Sequence, residues 1–356
     1  MASTLVTYVP TPTVALGGSV PEDFPDLLVA VTVEESTAGL SRCEVRIDNW
    51  TNHSDGPGYL WRDRDLVDFG KTLEITMGPP DEQALVFSGK VTGIEADFAP
   101  TGPSLVLLAE DGLKDLRLTR RTRTFEDASD TDVIEAVAGN HNLTPKVDDL
   151  KGPKHAAICQ LNQSDLAFLR DRALPYGADV WLDGRELHVG KRTDEPIVLR
   201  YGHELLAVRL LADLTMQATE QRVTGWDPET KQAVSESAGQ STLGVELGSA
   251  IGGGDLVSAA FGGKPRPAIA TLQRTVTTKE AQAIAKGLYL ERARRFVTGT
   301  GVVDGIALLR AGRAVDITNT TPVLDGTYRL SRVLHRYDRA AGFRTEIDVE
   351  RVGLSA

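Results

Sequence analysis

The chain has 356 residues, 41 % of them hydrophobic and 25 % charged, which excludes wholesale disorder and leaves room for two or three domains at roughly 100–200 residues each. Its formal net charge is −11, from 50 acidic and 39 basic residues, so the chain as a whole is not built to neutralise phosphates and grip nucleic acid. The same balance suits a surface that nucleic acid passes without sticking.

With 34 Gly, 17 Pro and only 6 % aromatics, the composition fits many short strands and turns. The best apolar run, 27–33, is strand-sized, well short of the roughly 18–20 residues a membrane helix needs. The N-terminus lacks the basic and apolar regions of a secretory signal. A cytosolic product, or one exported by another route, is expected.

The first stretch reads as β throughout. After 27–33, Cys43, Val45 and Ile47 alternate with Glu44, Arg46 and Asp48, and Leu73, Ile75 and Met77 repeat the pattern. Period-2 alternation marks half-buried strands. Further strands are expected at 85–87 running into 90–94, and at 104–108. Turn-rich clusters at 52–58, 78–81 and 99–103 separate them. Five or six strands without helices predict a small barrel or sandwich over residues 1–118.

Residues 119–200 read as a small α/β domain. Val133, Ile134, Val137 and Ala138 have helical spacing behind the cap candidates Ser129 and Asp130. A second helix is expected over 164–174, capped by Ser164 and closed by Pro175 and Gly177. A hairpin follows at 180–189, where Asp183-Gly184 has the chemistry of a type I′ turn.

From 198 the chain turns β again, with long strands at 205–214 and 216–238, the latter folding back at 226–230. Residues 201–238 and 299–356 are expected to form a second β module, interrupted by an insertion at 239–298. The first part of that insertion is rich in Gly, Ser and Ala and includes Gly252-Gly253-Gly254. It reads as a mobile loop that buries no core. A long helix at 278–297 follows, with Thr277 and Glu280 at capping-box spacing and Glu291 and Arg295 at i,i+4. Strands at 306–309, 314–317, 327–337 and 343–352 close the chain. Two β units of similar size leave room for an internal duplication.

Motifs that carry chemistry fail on inspection. Gly70-Lys71-Thr72 resembles the end of a phosphate-binding loop, but Asp65 stands where its first Gly belongs and a strand follows. Asp68-Phe69-Gly70 has no kinase partners. His203-Glu204 lacks the second His of a zinc-protease helix, since 207 is Ala. The six histidines are scattered with no i,i+3 or i,i+4 pair. No catalytic, cofactor-binding or metal-ligating residue is expected. Cys43 and Cys159 read as buried thiols, with a disulfide between them left open. Trp50, Trp181 and Trp226 read as packed in or beside strands. The dense basic run 117–123 is either a patch for an acidic partner or, as favoured, a strand whose arginines pair with neighbouring carboxylates.

Several segments together resemble the late control protein D family, the central baseplate hubs of contractile phage tails, whose fold is shared by the hub portion of type VI VgrG spikes. Residues 40–45 resemble the early strand of the family's first barrel, and 86–94 (Val-Phe-Ser-Gly-Lys-Val-Thr-Gly-Ile) its "F-x-G-x-V" strand. Residues 109–116, Thr124-Phe125 and Ser129-Asp130 are similar to the exit from that barrel. Residues 158–170, with Gln160, Ser164, Asp165, Phe168 and Leu169, look like the "Q-x-x-x-S-D-x-x-F-L" helix start, the most specific segment. Residues 325–328, His335 and 342–345 resemble the closing hairpin.

The resemblance implies a mainly β fold: two tail-tube-like β-barrels flanking a small α/β domain. It also implies a homotrimer that adapts a sixfold tail tube to a threefold spike and forms part of a central channel. Partners would be a tube ring above, a spike below and other baseplate wedge proteins, with no stable nucleic-acid binding and no membrane insertion. VgrG-type proteins continue beyond the hub region, whereas this chain stops at Ala356. A separate spike polypeptide is therefore expected, and a virion or phage-like particle, assembled in the bacterial cytoplasm, is the expected location. The alternatives are a tail-associated cell-wall hydrolase and the hub of a type VI-like or extracellular contractile injection system.

Overall fold

In the computed structural model, which describes residues 11–355 except 149, 151, 153, 228, 229 and 276, alternating apolar side chains build one large antiparallel sheet. Strand β1 (Thr13–Leu16) and the single-turn helix α1 (Phe24–Leu27) precede β2 (Leu28–Ser36) and β3 (Arg42–Asp48). A small hairpin, β4 (Thr51–His53) and β5 (Gly56–Gly58), leads to β6 (Thr72–Met77), β7 (Ala84–Ala99) and β8 (Gly102–Glu110). The segments 85–87 and 90–94 are thus one long strand. Their core includes Val31, Val33, Val45, Ile47, Leu73, Ile75, Leu105 and Leu107.

The middle segment runs through α2 (Leu113–Leu118), β9 (Arg120–Ala128), α3 (Asp130–Asn140), β10 (Thr144–Val147), β11 (His155–Ser164), α4 (Asp165–Ala173), β12 (Asp179–Asp183) and β13 (Glu186–Gly190). Local chemistry sets its helix starts. Ser129 makes a full capping box with Asp132, and Ser164 Oγ accepts from the Ala167 amide. The β12–β13 turn differs from the expected type. Asp183 pairs with Glu186, so Gly184 and Arg185 form the loop, and only Gly184 has positive φ (+57°). A type I′ turn needs two such residues.

The chain then forms β14 (Ile197–Arg200), β15 (Leu205–Ala212), β16 (Glu220–Asp227), β17 (Gln232–Gly239), α5 (Gly244–Leu247), β18 (Ile251–Gly252), α6 (Gly253–Ala260), β19 (Pro267–Thr275) and α7 (Thr278–Arg294). It ends in β20 (Val297–Asp304), β21 (Ala314–Thr318), β22 (Gly326–Asp338), β23 (Gly342–Arg351) and β24 (Gly353–Leu354). Strands β17, β16 and β19 make a separate sheet that shares a core with α7 through Val223, Val234, Ala281 and Ala285. The foldback at 226–230 occurs as expected by pairing, with Asp227 opposite Gln232; its residues 228 and 229 lie outside the described residues.

Three expectations need correction. The stretch 239–268 is not a structureless loop: α6 lies in it, and Val257 is fully buried. Its glycines serve close packing, because a Cβ on Gly253 would sit 2.9 Å from Phe296 Cγ. The apolar run 306–309 is a turn rather than a strand, with Ala307 and Leu309 buried and Leu308 exposed, closed by the Leu309 amide donating to the Ile306 carbonyl at 3.3 Å. Strand β20 begins at Val297, where the helix was expected to end; Gly299 and Gly301 had hidden its alternation.

The two halves of the large sheet repeat one plan. Strands β2, β3, β6, β7 and β8 are answered, in the same chain order, by β15, β20, β21, β22 and β23. In each half a short strand pairs with the first part of a long one, β6 with β7 and β21 with β22. The long strand turns back onto β8 or β23, which pairs with β3 or β20. Strand β2 or β15 completes the set.

Even the irregularities match. The ladder slips between Val91 and Gly93 and again between Leu330 and Arg332. It slips between Leu28 and Ala30 and again between Leu205 and Ala207. Gly70 and Gly312, at φ +78° and +86°, donate to the carbonyls of Val91 and Leu330 at 2.8 and 2.7 Å. Positive φ at both turns demands glycine or an equivalent strain.

The halves are fused edge to edge. Strand β2 pairs antiparallel with the second part of β22, from Ala30 opposite Asp338 to Ser36 opposite Arg332. The sheet therefore runs β1-β6-β7-β8-β3-β2-β22-β23-β20-β15. Strand β15 is an edge strand of this path.

Candidate functional site

Most apolar residues of the strands face the cores, and the opposite face of the sheet is mainly polar, with Leu108 and Leu211 as exposed exceptions. On that open face, arginines of the central strands are held by carboxylates across the ladder. Arg332 meets Glu34 at 2.6 Å and Asp348 at 3.8 Å. Arg336 meets Glu346 at 3.1 Å, and Arg344 meets Asp304 at 2.7 Å. Burial comes first in raising the Asp348 carboxyl above its ordinary range; Arg332 opposes it and the nearby Glu34 and Glu346 add to it. A shallow groove at the β15 end is lined by Arg209, Leu211, Thr298, Thr300, Ser331 and Asp348.

Away from the open face, buried carboxylates of β2, of the β8–α2 link and of the middle segment are held by fixed donors. Glu35 accepts from Arg310 Nε at 2.8 Å, Arg192 Nη2 at 3.2 Å and the Ala311 amide at 3.2 Å. Burial would raise its carboxyl, but the two arginines outweigh that and hold it below the usual range. Asp130 accepts from Arg172 and Tyr176, both at 2.5 Å. Against the opposing effect of burial, these bonds and His155 lower it to about 2. Asp111 takes the Ser41 and Leu113 amides at 3.0 Å each; burial dominates here and pushes it up to about 6.

The fourth, Asp165, explains the basic run. Arg121 and Arg123 turn inward to it at 3.2 and 2.7 Å, joined by His141 at 2.8 Å and Gln160 at 2.9 Å. Despite burial, His141, Gln160 and the arginines keep the carboxyl below its ordinary value. The ion-paired strand reading holds for 120–123, whereas Arg117 lies in the last turn of α2 and pairs with Glu110 at 3.0 Å. Sequence alone did not show these pairings, since the partners are distant along the chain.

Both cysteines are free; Cys43 is buried but Cys159 is exposed, contrary to expectation. Cys159 lies on the outer face of the two-stranded β9–β11 ribbon, opposite Thr124. Trp181 is packed, stacked on His188 and under Arg192 at 4.6 Å. Trp50 and Trp226 are exposed instead, and Trp50 begins an edge-to-face series through Tyr59 to Phe98 at 5.2 and 5.6 Å. Among the described residues no group of three or more His, Cys, Asp or Glu is placed to hold a metal ion. No helix among them is long and apolar enough to cross a membrane.

The whole architecture is shared with solved phage tail proteins. The 43 kDa tail protein of prophage MuSo2 from Shewanella oneidensis superposes with a TM-score of 0.72 at 13 % identity, covering 96 % of this chain and 98 % of that one. The tail protein from Neisseria meningitidis MC58 gives 0.71 at 13 % identity, covering 97 % of each. A chain of the Francisella PdpA-VgrG complex gives 0.53 at 9 % identity, with 96 % of this chain and 58 % of that one covered. At such identities the likeness is one of fold. No curated protein sequence matches the chain. The sequence profile of the family described as the Alg8 N-terminal domain matches residues 28–338, most of the length, and the chain belongs to that family.

Proposed function

We propose that the chain is the structural hub of a phage or phage-like contractile tail, a homotrimer that adapts a sixfold tube to a threefold spike and forms part of the central channel. The duplication carries this reading. Each chain holds two copies of one β unit joined edge to edge, so three chains around an axis offer six similar units to one neighbour and three to the other. The fold likeness to phage tail proteins over nearly the full length of both chains supports it.

In this reading a tube ring sits on one side, a spike on the other, and wedge proteins around the rim, in a virion or phage-like particle assembled in the bacterial cytoplasm. The open sheet face lines the channel, and its arginines are already occupied by carboxylates. The role is structural, with no chemical step assigned to the chain. The fold likeness to a PdpA-VgrG chain also favours a related reading, the hub of a type VI-like injection system.

Light scattering of the purified protein tests the proposal, with three chain masses and a threefold ring with a central hole in negative stain as the expected result. A monomer at every concentration overturns it.

A further inference from the structure

We infer that copies of the chain join head to tail by laying β15 of one against residues 93–99 of β7 in the next, so that Arg209 of one copy pairs with Asp97 of its neighbour. The inference rests on the trimer reading above and supplies its interface.

The internal seam is the template. Strand β2 stands to β3 as β15 stands to β20, and β22 stands to β23 as β7 stands to β8, with matched ladder slips fixing the register in both. At the seam Val31 lies opposite Tyr337, Thr32 opposite Arg336 and Glu34 opposite Leu334. Carried through the duplication, these positions become Val208 opposite Phe98, Arg209 opposite Asp97 and Leu211 opposite Glu95.

Three observations fit that register. First, β15 is a sheet edge of sequence Leu-Leu-Ala-Val-Arg-Leu-Leu-Ala. Leu206 and Leu211 are 45 % and 54 % exposed, and Arg209 is the strand's one charge against edge pairing, a charge that an opposing carboxylate would neutralise. Second, β7 beyond Val91 has β8 on one side and, among the described residues, no strand on the other. Phe98 there is 65 % exposed, whereas Tyr337, its counterpart inside the seam, is 6 % exposed. A neighbouring strand covers Tyr337, and the same arrangement between copies covers Phe98.

Third, Arg209 and Asp97 are both exposed and form no ion pair within the described chain. Opposite charges directly across an antiparallel pair stabilise it. The alternative of two β15 edges meeting about a twofold axis offers Arg209 no carboxylate, since β15 carries none. A head-to-tail contact differs from such an isologous one in closing a ring when its rotation permits.

Charge reversal tests the pairing. Arg209→Glu and Asp97→Arg each weaken association by roughly fivefold per interface, and the double reversal restores it. Light scattering reads the mass, and circular dichroism confirms that each variant is folded. Independently, Arg209→Cys with Asp97→Cys in a Cys159→Ser background, treated with a short bismaleimide, gives denatured bands up to three chain masses. A wild-type trimer whose folded variants neither cross-link nor respond to reversal overturns this interface and leaves the hub reading standing. A wild-type monomer overturns both.

Discussion

Arg310 donates to Glu35 at 2.8 Å across 275 positions of sequence, tying the loop after β20 to the core side of β2. Arg192, arriving from the middle segment, binds the same carboxylate while its guanidinium lies over Trp181. One carboxylate thus fastens three parts of the chain. Removing one member of a buried ion pair leaves the others charged and unsatisfied. Glu35→Ala is expected to lower stability by about 3–5 kcal/mol, read as a drop in the urea midpoint. An unchanged midpoint would falsify the assignment.

Asp111 sets a pH dependence of the unusual sign. Its carboxyl is pushed up to about 6 from an ordinary 3.8, so between those values the folded chain binds more protons than the unfolded one. The burial penalty on the ionised form is present at neutral pH and is relieved as pH falls through 6. Relative to Asp111→Asn, the wild type should gain about 2 kcal/mol between pH 7 and pH 4.5. Urea titrations of both proteins at the two pH values measure the difference, and parallel curves would refute it.

His335 works in the opposite direction. It is enclosed, with Nε2 donating to the Leu309 carbonyl and Nδ1 facing the Thr345 hydroxyl, each at 3.1 Å. Burial, aided by Arg310, depresses its pKa to about 4. The neutral ring contributes stability that is complete above 6.5 and is lost as pH falls through 4. An NMR titration of the ring should find its midpoint near 4. A midpoint near 6.5 would show the ring to be solvated.

The ion pairs of the open face should matter for adhesion rather than for stability. Exposed pairs contribute about 0–1 kcal/mol each, so Glu34→Gln, Asp304→Asn and Glu346→Gln together should leave the protein folded. Freed of these carboxylates, Arg336 and Arg344 become available to phosphates, and Arg332 keeps only the longer Asp348 contact at 3.8 Å. In fluorescence anisotropy the triple variant should hold a short DNA duplex that the wild type does not. With three contacts, its affinity should fall roughly 40-fold between 50 and 200 mM salt. Equal behaviour of wild type and variant would remove these pairs from the account.

Local chemistry was legible in the sequence, and distant pairing was not. Ser129, Ser164 and Thr277 announced their helices because a cap is a bond within four residues. The strands around Val45 and Ile75 showed through alternation alone. Glycine misled twice. In α6 it permits close approach to Phe296 and Tyr289 rather than motion, and in β20 it blanked the inward positions. The duplication was visible only as two β regions of similar size, since its proof lies in matched ladder slips that no residue type records. The partners of Glu35 and Asp165 come from other segments, so the arginines could be read as basic but not as spoken for.

The β2–β22 seam also constrains how the protein is made. Glu34 and Arg332, paired across it, are 298 residues apart, so the ribosome delivers the second only when synthesis is nearly finished. Until then the outer rim of β2 waits uncovered, and a stray strand could occupy it. Closure of so long a loop is slow, and chains cut short of β22 keep that rim open to aggregation.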